Sequence, residues 1–276
     1  MLIPPFFSIV VINLNNAQGL RLTLDSVRLQ TFREHEVIFV DGNSTDDSLK
    51  IAEEYSSIVT HQIVGQDNGI YNAMNIGIDK AEGKYILFLN SGDRLYDSSV
   101  LLSVFQLVND SQVYPLVFGY AEINSEQDTW LFPPERFTSN PSLLDYWLTR
   151  REPNHQATFF PSSFCKNNRY DESLKIIADK KFKRCALSIL AYQFLNKPVA
   201  SFELGGTSNK IKNLKHVRQF ISDYQRYYLI KNDKSIKDTF LFFTASTKII
   251  FKFFAQKFIG ESFWNLIKFM RNYPIA

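Results

Sequence analysis

The chain has 276 residues, 45% hydrophobic and 21% charged, enough to bury a substantial core in one large domain with an appendage. Its two cysteines, Cys165 and Cys185, exclude a disulfide framework and a cysteine metal cluster and point to a reducing, cytoplasmic compartment. The net charge of +3 is unevenly spread: residues 207–276 hold 13 Lys and Arg against 4 Asp and Glu, so the preceding body is net acidic. A basic, aromatic tail on an acidic body implies a tail that meets something anionic.

Met1-Leu2-Ile3-Pro4-Pro5 carries no basic n-region and runs at once into a strand pattern, so no signal peptide is expected. Phe7–Ile12 is a short apolar, largely β-branched run that stops at Asn13-Leu14-Asn15-Asn16, as a buried parallel strand does. Leu20, Leu24, Val27 and Phe32 follow at near-helical spacing. Val37–Val40 is the second strand, ending at Asp41-Gly42-Asn43, with a helix from about Leu49 capped by Ser44, Thr45 or Asp46. Ile58–Val64 is expected as a strand, Ile70–Ile78 as a helix, and Tyr85–Leu89 as a strand closed by Asn90-Ser91-Gly92-Asp93. The prolines of 114–160 predict an irregular stretch of strands and loops. Asp179–Tyr192 reads as a helix and Val199–Glu203 as a last strand before Gly205-Gly206.

Strand, polar turn and helix in repetition argue for an α/β fold with a mostly parallel sheet flanked by helices. In such sheets ligands sit beyond the carboxyl ends of the strands, where Asn13, Asp41 and Asp93 fall. A nucleotide sugar needs acceptors for its base and ribose and a cation for its phosphates, because carboxylates alone repel a diphosphate. Acidic strand-end loops also arise for turn reasons, so Asp41 and Asp93 taken singly leave the structural alternative open. Met74 and Ile78, four apart, are expected in the core, and Gly69 and Gly77 at backbone-permissive sites.

Ser8-Ile9-Val10-Val11-Ile12-Asn13-Leu14-Asn15, Gln30-Thr31 and Glu36-Val37-Ile38-Phe39-Val40-Asp41-Gly42-Asn43-Ser44-Thr45-Asp46 together resemble the opening pattern of family 2 glycosyltransferases. Gln66-Asp67-Asn68-Gly69-Ile70-Tyr71-Asn72-Ala73-Met74-Asn75-Ile76-Gly77 is similar to a run found in a subset that includes polysaccharide and O-antigen enzymes. Asn90-Ser91-Gly92-Asp93, His155-Gln156 and Ala178-Asp179 match three further motifs, so the resemblance spans about residues 6–207. Asn72, Asn90 and Ala178 depart from it, standing where relatives carry acidic residues.

The resemblance implies a GT-A, Rossmann-like catalytic domain over 1–210, with a nucleotide-sugar half to about residue 97 and an acceptor half beyond it. It implies that Asn13, Asn15, Asp41 and Asp67 contact the nucleoside, that Asn90, His155 and Gln156 bind substrate, and that Asp93 ligates Mn²⁺ or Mg²⁺. Asp179 becomes the general base of an inverting transfer from a UDP-hexose or UDP-N-acetylhexosamine. From position alone, Asp179 equally suits a helix N-terminus. Gly205-Gly206-Thr207-Ser208 is either a donor-closing loop or a turn. A nucleotidyltransferase is disfavoured, because no Gly-rich, basic loop follows the first strand. A catalytically inactive scaffold or sugar-binding protein is the alternative raised by Asn90 and Ala178.

The tail, 211–276, is expected to be a helical, amphipathic extension. Residues 239–276 carry Lys248, Lys252, Lys257, Lys268 and Arg271 against Glu261, among nine Phe, Trp264 and Tyr273. No apolar run reaches the roughly 18–20 residues of a spanning helix. Phe243, Ile250, Phe254 and Phe258 recur at helical spacing with Lys248 and Lys252 opposite Ile250, the pattern of a helix lying in a membrane interface. Packing on the catalytic domain or a dimer contact is the alternative. With the resemblance, this implies a polyprenyl-diphosphate-linked saccharide acceptor at the cytosolic face of the inner membrane, a peripheral association, and no nucleic acid partner.

Overall fold

A computed structural model of the chain describes residues 4–66, 68–111, 113–125, 128–204, 213–229 and 235–258. These described residues form two compact units, one within 1–172 and 179–204, the other within 173–178 and after 204.

The first unit is built on a sheet whose strand order is β3 (Val59–Val64), β2 (His35–Asp41), β1 (Phe7–Asn13), β4 (Tyr85–Asn90), β8 (Thr158–Pro161), β6 (Leu116–Asn124), β9 (Tyr192–Glu203), β5 (Arg94–Leu95), with β7 (Thr129–Phe132) paired to β6. β1 (Phe7–Asn13), β2 (His35–Asp41), β3 (Val59–Val64) and β4 (Tyr85–Asn90) form the parallel part. All seven residues of β1 are buried, which is why it reads as an uninterrupted apolar run. β1 pairs Asn13 with Asp41 on β2 and Ile12 with Asn90 on β4, so three polar side chains meet at one carboxyl edge. The order 3-2-1-4 is that of a nucleotide-binding half-sheet.

Helices α1 (Ala17–Arg28), α2 (Ser48–Glu54), α3 (Ile70–Lys80) and α4 (Val100–Val108) connect these strands and follow β5 (Arg94–Leu95). α1 buries Leu20, Leu24 and Val27, as its periodicity predicts, and its N-cap Asn16 accepts the Gly19 amide. At α2 the expectation differs in detail. Asp47 is the cap residue and makes no side-chain cap bond, while Asp46 accepts the Ser48 amide at 3.0 Å and the α1 amide of Ala17 at 2.9 Å. Met74 and Ile78 are core residues as expected. Gly77 is a close-approach position: a Cβ there would lie 2.2 Å from Val10 on β1.

The irregular middle resolves into β6 (Leu116–Asn124), β7 (Thr129–Phe132), α5 (Glu135–Thr138), α6 (Pro141–Leu148), a single 3-10 turn (His155–Ala157), β8 (Thr158–Pro161) and α7 (Ser162–Asn167). β8 runs antiparallel between β4 and β6. α8 spans Ala178–Ile189 and β9 spans Tyr192–Glu203, so the helix stops earlier and the strand starts seven residues sooner than expected. The cause is tertiary: β9 lies parallel to β6 along its whole length, with register shifts at Gly119–Ala121 that leave Asn196, Lys197 and Val199 as extra residues and blur its alternation.

In the second unit α9 (Leu214–Leu229) packs against α10 (Ile236–Phe258). α10 exposes Ile236, Phe240, Phe243, Ile250, Phe251 and Phe254, a stripe at helical spacing, and Lys248 is exposed as well. Among the described residues no helix is long and apolar enough to cross a membrane. The side chain of Phe258 and residues 259–276 lie outside the described residues.

Candidate active site

Two polar clusters occupy the carboxyl edge of the parallel strands. In the first, Asp41 is buried at the end of β2 and both its oxygens have partners. Oδ1 accepts from Asn13 Nδ2 and Ser44 Oγ, each at 2.7 Å, and Oδ2 accepts the Ser44 amide at 2.7 Å. Ser44 Oγ in turn accepts the Asn15 amide at 2.8 Å, and Asn15 Oδ1 accepts the Thr45 amide at 2.8 Å. Asn15 and Asn43 hold positive φ, 51° and 67°, which asparagine tolerates better than most residues. The two loops are thus laced together. Among the described residues buried Asn13 Oδ1 has no partner, so it is an acceptor that a donor group can satisfy.

The second cluster forms where β4 ends. Asp93 folds back so that its Oδ2 accepts the Asn90 amide at 2.8 Å and Asn90 Nδ2 at 3.0 Å, while Gly92 takes a φ of +108°. Thr23 of α1 fixes this turn, donating to the Asp93 carbonyl at 2.7 Å and accepting the Gly92 amide at 2.9 Å. Burial pushes the Asp93 carboxyl up to about 6, with hydrogen bonds from Asn90 and Gln156 pulling the other way. Asn90 Oδ1 is buried without a partner among the described residues.

Asn90 Nδ2 also faces His155 Nε2 at 3.4 Å. With that nitrogen accepting, the ring proton sits on Nδ1, which lies 3.9 Å from Asp179 Oδ2. Burial, with nearby Lys183, lowers His155 to about 4 against the pull of Asp179, so the ring is neutral at physiological pH. Asp179 stands in the first turn of α8, and Lys183, one helical turn on and almost fully buried, donates to its Oδ2 at 3.0 Å. Tyr71 Oη donates to Asp179 Oδ1 at 3.4 Å. Burial works against the charged carboxylate, but Lys183 and His155 outweigh it and hold Asp179 below its ordinary range.

The structure therefore brings Asn90, Asp93, His155, Gln156 and Asp179 into one connected group, and Asn13, Asn15 and Asp41 into another at the same sheet edge. Asp67 and Gly205–Ser208 lie outside the described residues. Lys183 and Tyr71 were not singled out from the sequence as site residues. The i, i+4 spacing of Asp179 and Lys183 was the available signal.

Among the described residues no group of three or more His, Cys, Asp or Glu is arranged to hold a metal. The donors that are present, the Asp93 carboxylate and the orphaned Asn90 amide oxygen, fit a hard divalent cation that takes one or two protein oxygens and completes its shell with water and phosphate.

Solved structures with the same fold include S. aureus TarS 1-349 in complex with UDP-GlcNAc, which aligns with a TM-score of 0.64 over 91% of this chain and 73% of that one at 17% identity. Mannosyltransferase PcManGT from Pyrobaculum calidifontis, in complex with GDP-Man and Mn²⁺, aligns with a TM-score of 0.58 over 90% and 70% at 13% identity. In sequence, the PGL/p-HBAD biosynthesis glycosyltransferase of Mycobacterium bovis is 33% identical over 214 residues, covering 75% of this chain and 80% of that protein. The model of glycosyl transferase family 2 matches residues 8–166, the span that carries both loops of the first cluster and the Asn90–Asp93 turn with His155. The chain belongs to glycosyl transferase family 2 and is a glycosyltransferase enzyme.

Proposed function

We propose that the protein is an inverting glycosyltransferase that moves a hexose or N-acetylhexosamine from its UDP donor onto a saccharide carried on a polyprenyl diphosphate, in surface-polysaccharide assembly of the O-antigen kind. The observation that carries this reading is Asp179: a partly exposed carboxylate held ionised by a buried lysine and bonded to a tyrosine, one neutral imidazole away from the Asn90–Asp93 turn. One direct displacement needs one such base. Asp179 takes the proton of the acceptor hydroxyl as that oxygen bonds to the anomeric carbon. The bond from that carbon to the diphosphate oxygen breaks on the opposite face, and UDP leaves with the electron pair.

Asn13, Asn15, Asp41 and Asp67 hold the nucleoside in this reading, and Asn13 Oδ1, unpartnered among the described residues, supports it as an acceptor for a base or ribose donor. Asp41 has little capacity left, so it acts chiefly by fixing Asn13 and Ser44. Asp93, with Asn90 Oδ1, is the protein's contribution to a Mn²⁺ or Mg²⁺ ion. When bound, such an ion offsets the charge developing on the departing diphosphate. His155 and Gln156 hold Asn90 and Asp93 in place.

A nucleotide-sugar donor is supported by the family and by the UDP-GlcNAc carried by one structural neighbour. Residues 1–210 are the catalytic domain in this proposal, and 211–276 a basic extension that rests on the cytosolic face of the inner membrane. The exposed aromatic stripe of α10 supports that role. Thermal shift across UDP-hexoses and UDP-N-acetylhexosamines, with and without Mn²⁺ or Mg²⁺, tests the donor side. A metal-dependent shift with one UDP-sugar, followed by UDP release on adding a polyprenyl-diphosphate-linked saccharide, is the expected result. No shift with any UDP-sugar would remove the donor assignment.

A further inference from the structure

The turn that leads into α8 is held by two side chains of α9. Asp223 is fully buried, and its Oδ2 accepts the amides of Ile176 at 2.7 Å and Ile177 at 3.3 Å, while Oδ1 accepts Gln219 Nε2 at 2.9 Å. Arg226 Nη1 donates to the Ser173 carbonyl at 2.8 Å, so the short segment is gripped near both ends. A buried carboxylate is costly unless its oxygens are satisfied, and here most of that satisfaction comes from two consecutive backbone amides of 173–178. Two adjacent N–H groups converging on one oxygen fix the peptide planes between them. The chain then enters α8 at Ala178, and the next residue is Asp179.

We propose that α9, through Asp223 with Arg226, is a positioning element for the transfer reaction: by fixing the turn at Ile176 and Ile177 it sets the start of α8 and so the placement of the Asp179 carboxylate. This rests on the reading of Asp179 as the base. It gives the C-terminal helices a part in catalysis that is separate from any contact with a membrane, and it applies equally to enzyme in detergent.

The test uses full-length Asp223→Ala, Asp223→Asn and Arg226→Met in detergent micelles. Hydrogen exchange is followed over residues 173–182, and UDP release is measured from the UDP-sugar that gives a thermal shift, with a polyprenyl-diphosphate-linked N-acetylglucosamine as acceptor. In Asp223→Ala the amides of Ile176 and Ile177 lose protection and kcat falls about 10- to 100-fold, the scale of a small misplacement of a reacting group, while donor KM stays within about twofold. Asp223→Asn, which keeps one accepting oxygen, falls between it and the wild type, and Arg226→Met has a smaller loss. If Asp223→Ala does not accumulate folded, the other two variants carry the same comparison. Protection lost with kcat unchanged overturns the proposal, as does a parallel fall in kcat, donor affinity and Tm. Asp179→Asn, run alongside, separates the two claims: if it transfers sugar normally, the base reading fails and the clamp with it, whereas a dead Asp179→Asn beside a fully active Asp223→Ala sinks the clamp alone.

Discussion

The two clusters at the sheet edge each pair an asparagine with a buried aspartate and differ in how far that carboxylate is satisfied. Around Asp41, both carboxylate oxygens are taken by Asn13 and Ser44, and the group behaves as a rigid brace for two loops. Around Asp93 the burial is comparable but the compensation is incomplete. Asp93 is pushed up to about 6 and His155 is driven down to about 4. A cluster whose carboxylate is fully bonded stabilises the fold, whereas one that keeps desolvated charge in reserve is prepared for a ligand to complete it.

Substitutions that neutralise one cluster at a time break or sharpen this contrast. The largest effect is expected at Asp93→Asn, where loss of the carboxylate lowers kcat/KM by about 10³-fold, in line with the several kcal/mol a catalytic cation contributes. The same change stabilises the metal-free protein. The folded-state value of about 6 lies above the ordinary 3.8, so native Asp93 gains stability as pH falls through 6 and is least favourable ionised above it. Asp93→Asn is therefore expected to raise Tm at pH 8, by at most about 3 kcal/mol of stability, and to leave Tm near pH 3.5 unchanged. Thermal melts at both pH values check this.

Next in size is Lys183→Met. Lys183 holds Asp179 ionised against burial, so without it the carboxylate protonates at higher pH, and the acid limb of kcat/KM at saturating Mg²⁺ moves upward. A roughly tenfold loss at neutral pH accompanies it, within the range of general-base effects. Lys183→Arg restores part of both, and an acid limb that stays in place would contradict the role. The smallest effect on turnover belongs to Asp41→Asn, which sets an amide donor against the Asn13 and Ser44 donors. It is expected to cost about 2 kcal/mol in urea unfolding while changing kcat less than tenfold.

Much of the parallel sheet was legible because β1, β2 and β4 are buried on both faces and announce themselves as apolar runs that stop at polar turns. The strand-end residues were legible for the same reason, since the turns fall where the runs stop. What a single sequence does not carry is pairing. β9 was read from Val199 because its first residues lack alternation, and only its partner β6 makes Tyr192–Pro198 a strand. The Gln30 that helped mark the family is a buried tie, donating to the Asp97 carbonyl and accepting the Leu101 amide, a use that depends on contacts about seventy residues away. Lys183 was within reach of helical periodicity, but its burial against Asp179 was not.

The central claim, that Asp179 is the base acting on an acceptor hydroxyl, is tested most directly by measuring kcat and donor affinity of Asp179→Asn on the same preparation. The expected result is a fall in kcat of about 10²- to 10³-fold with donor affinity within about twofold of wild type. Transfer at the wild-type rate, or a loss of donor affinity large enough to account for the whole effect, would contradict it.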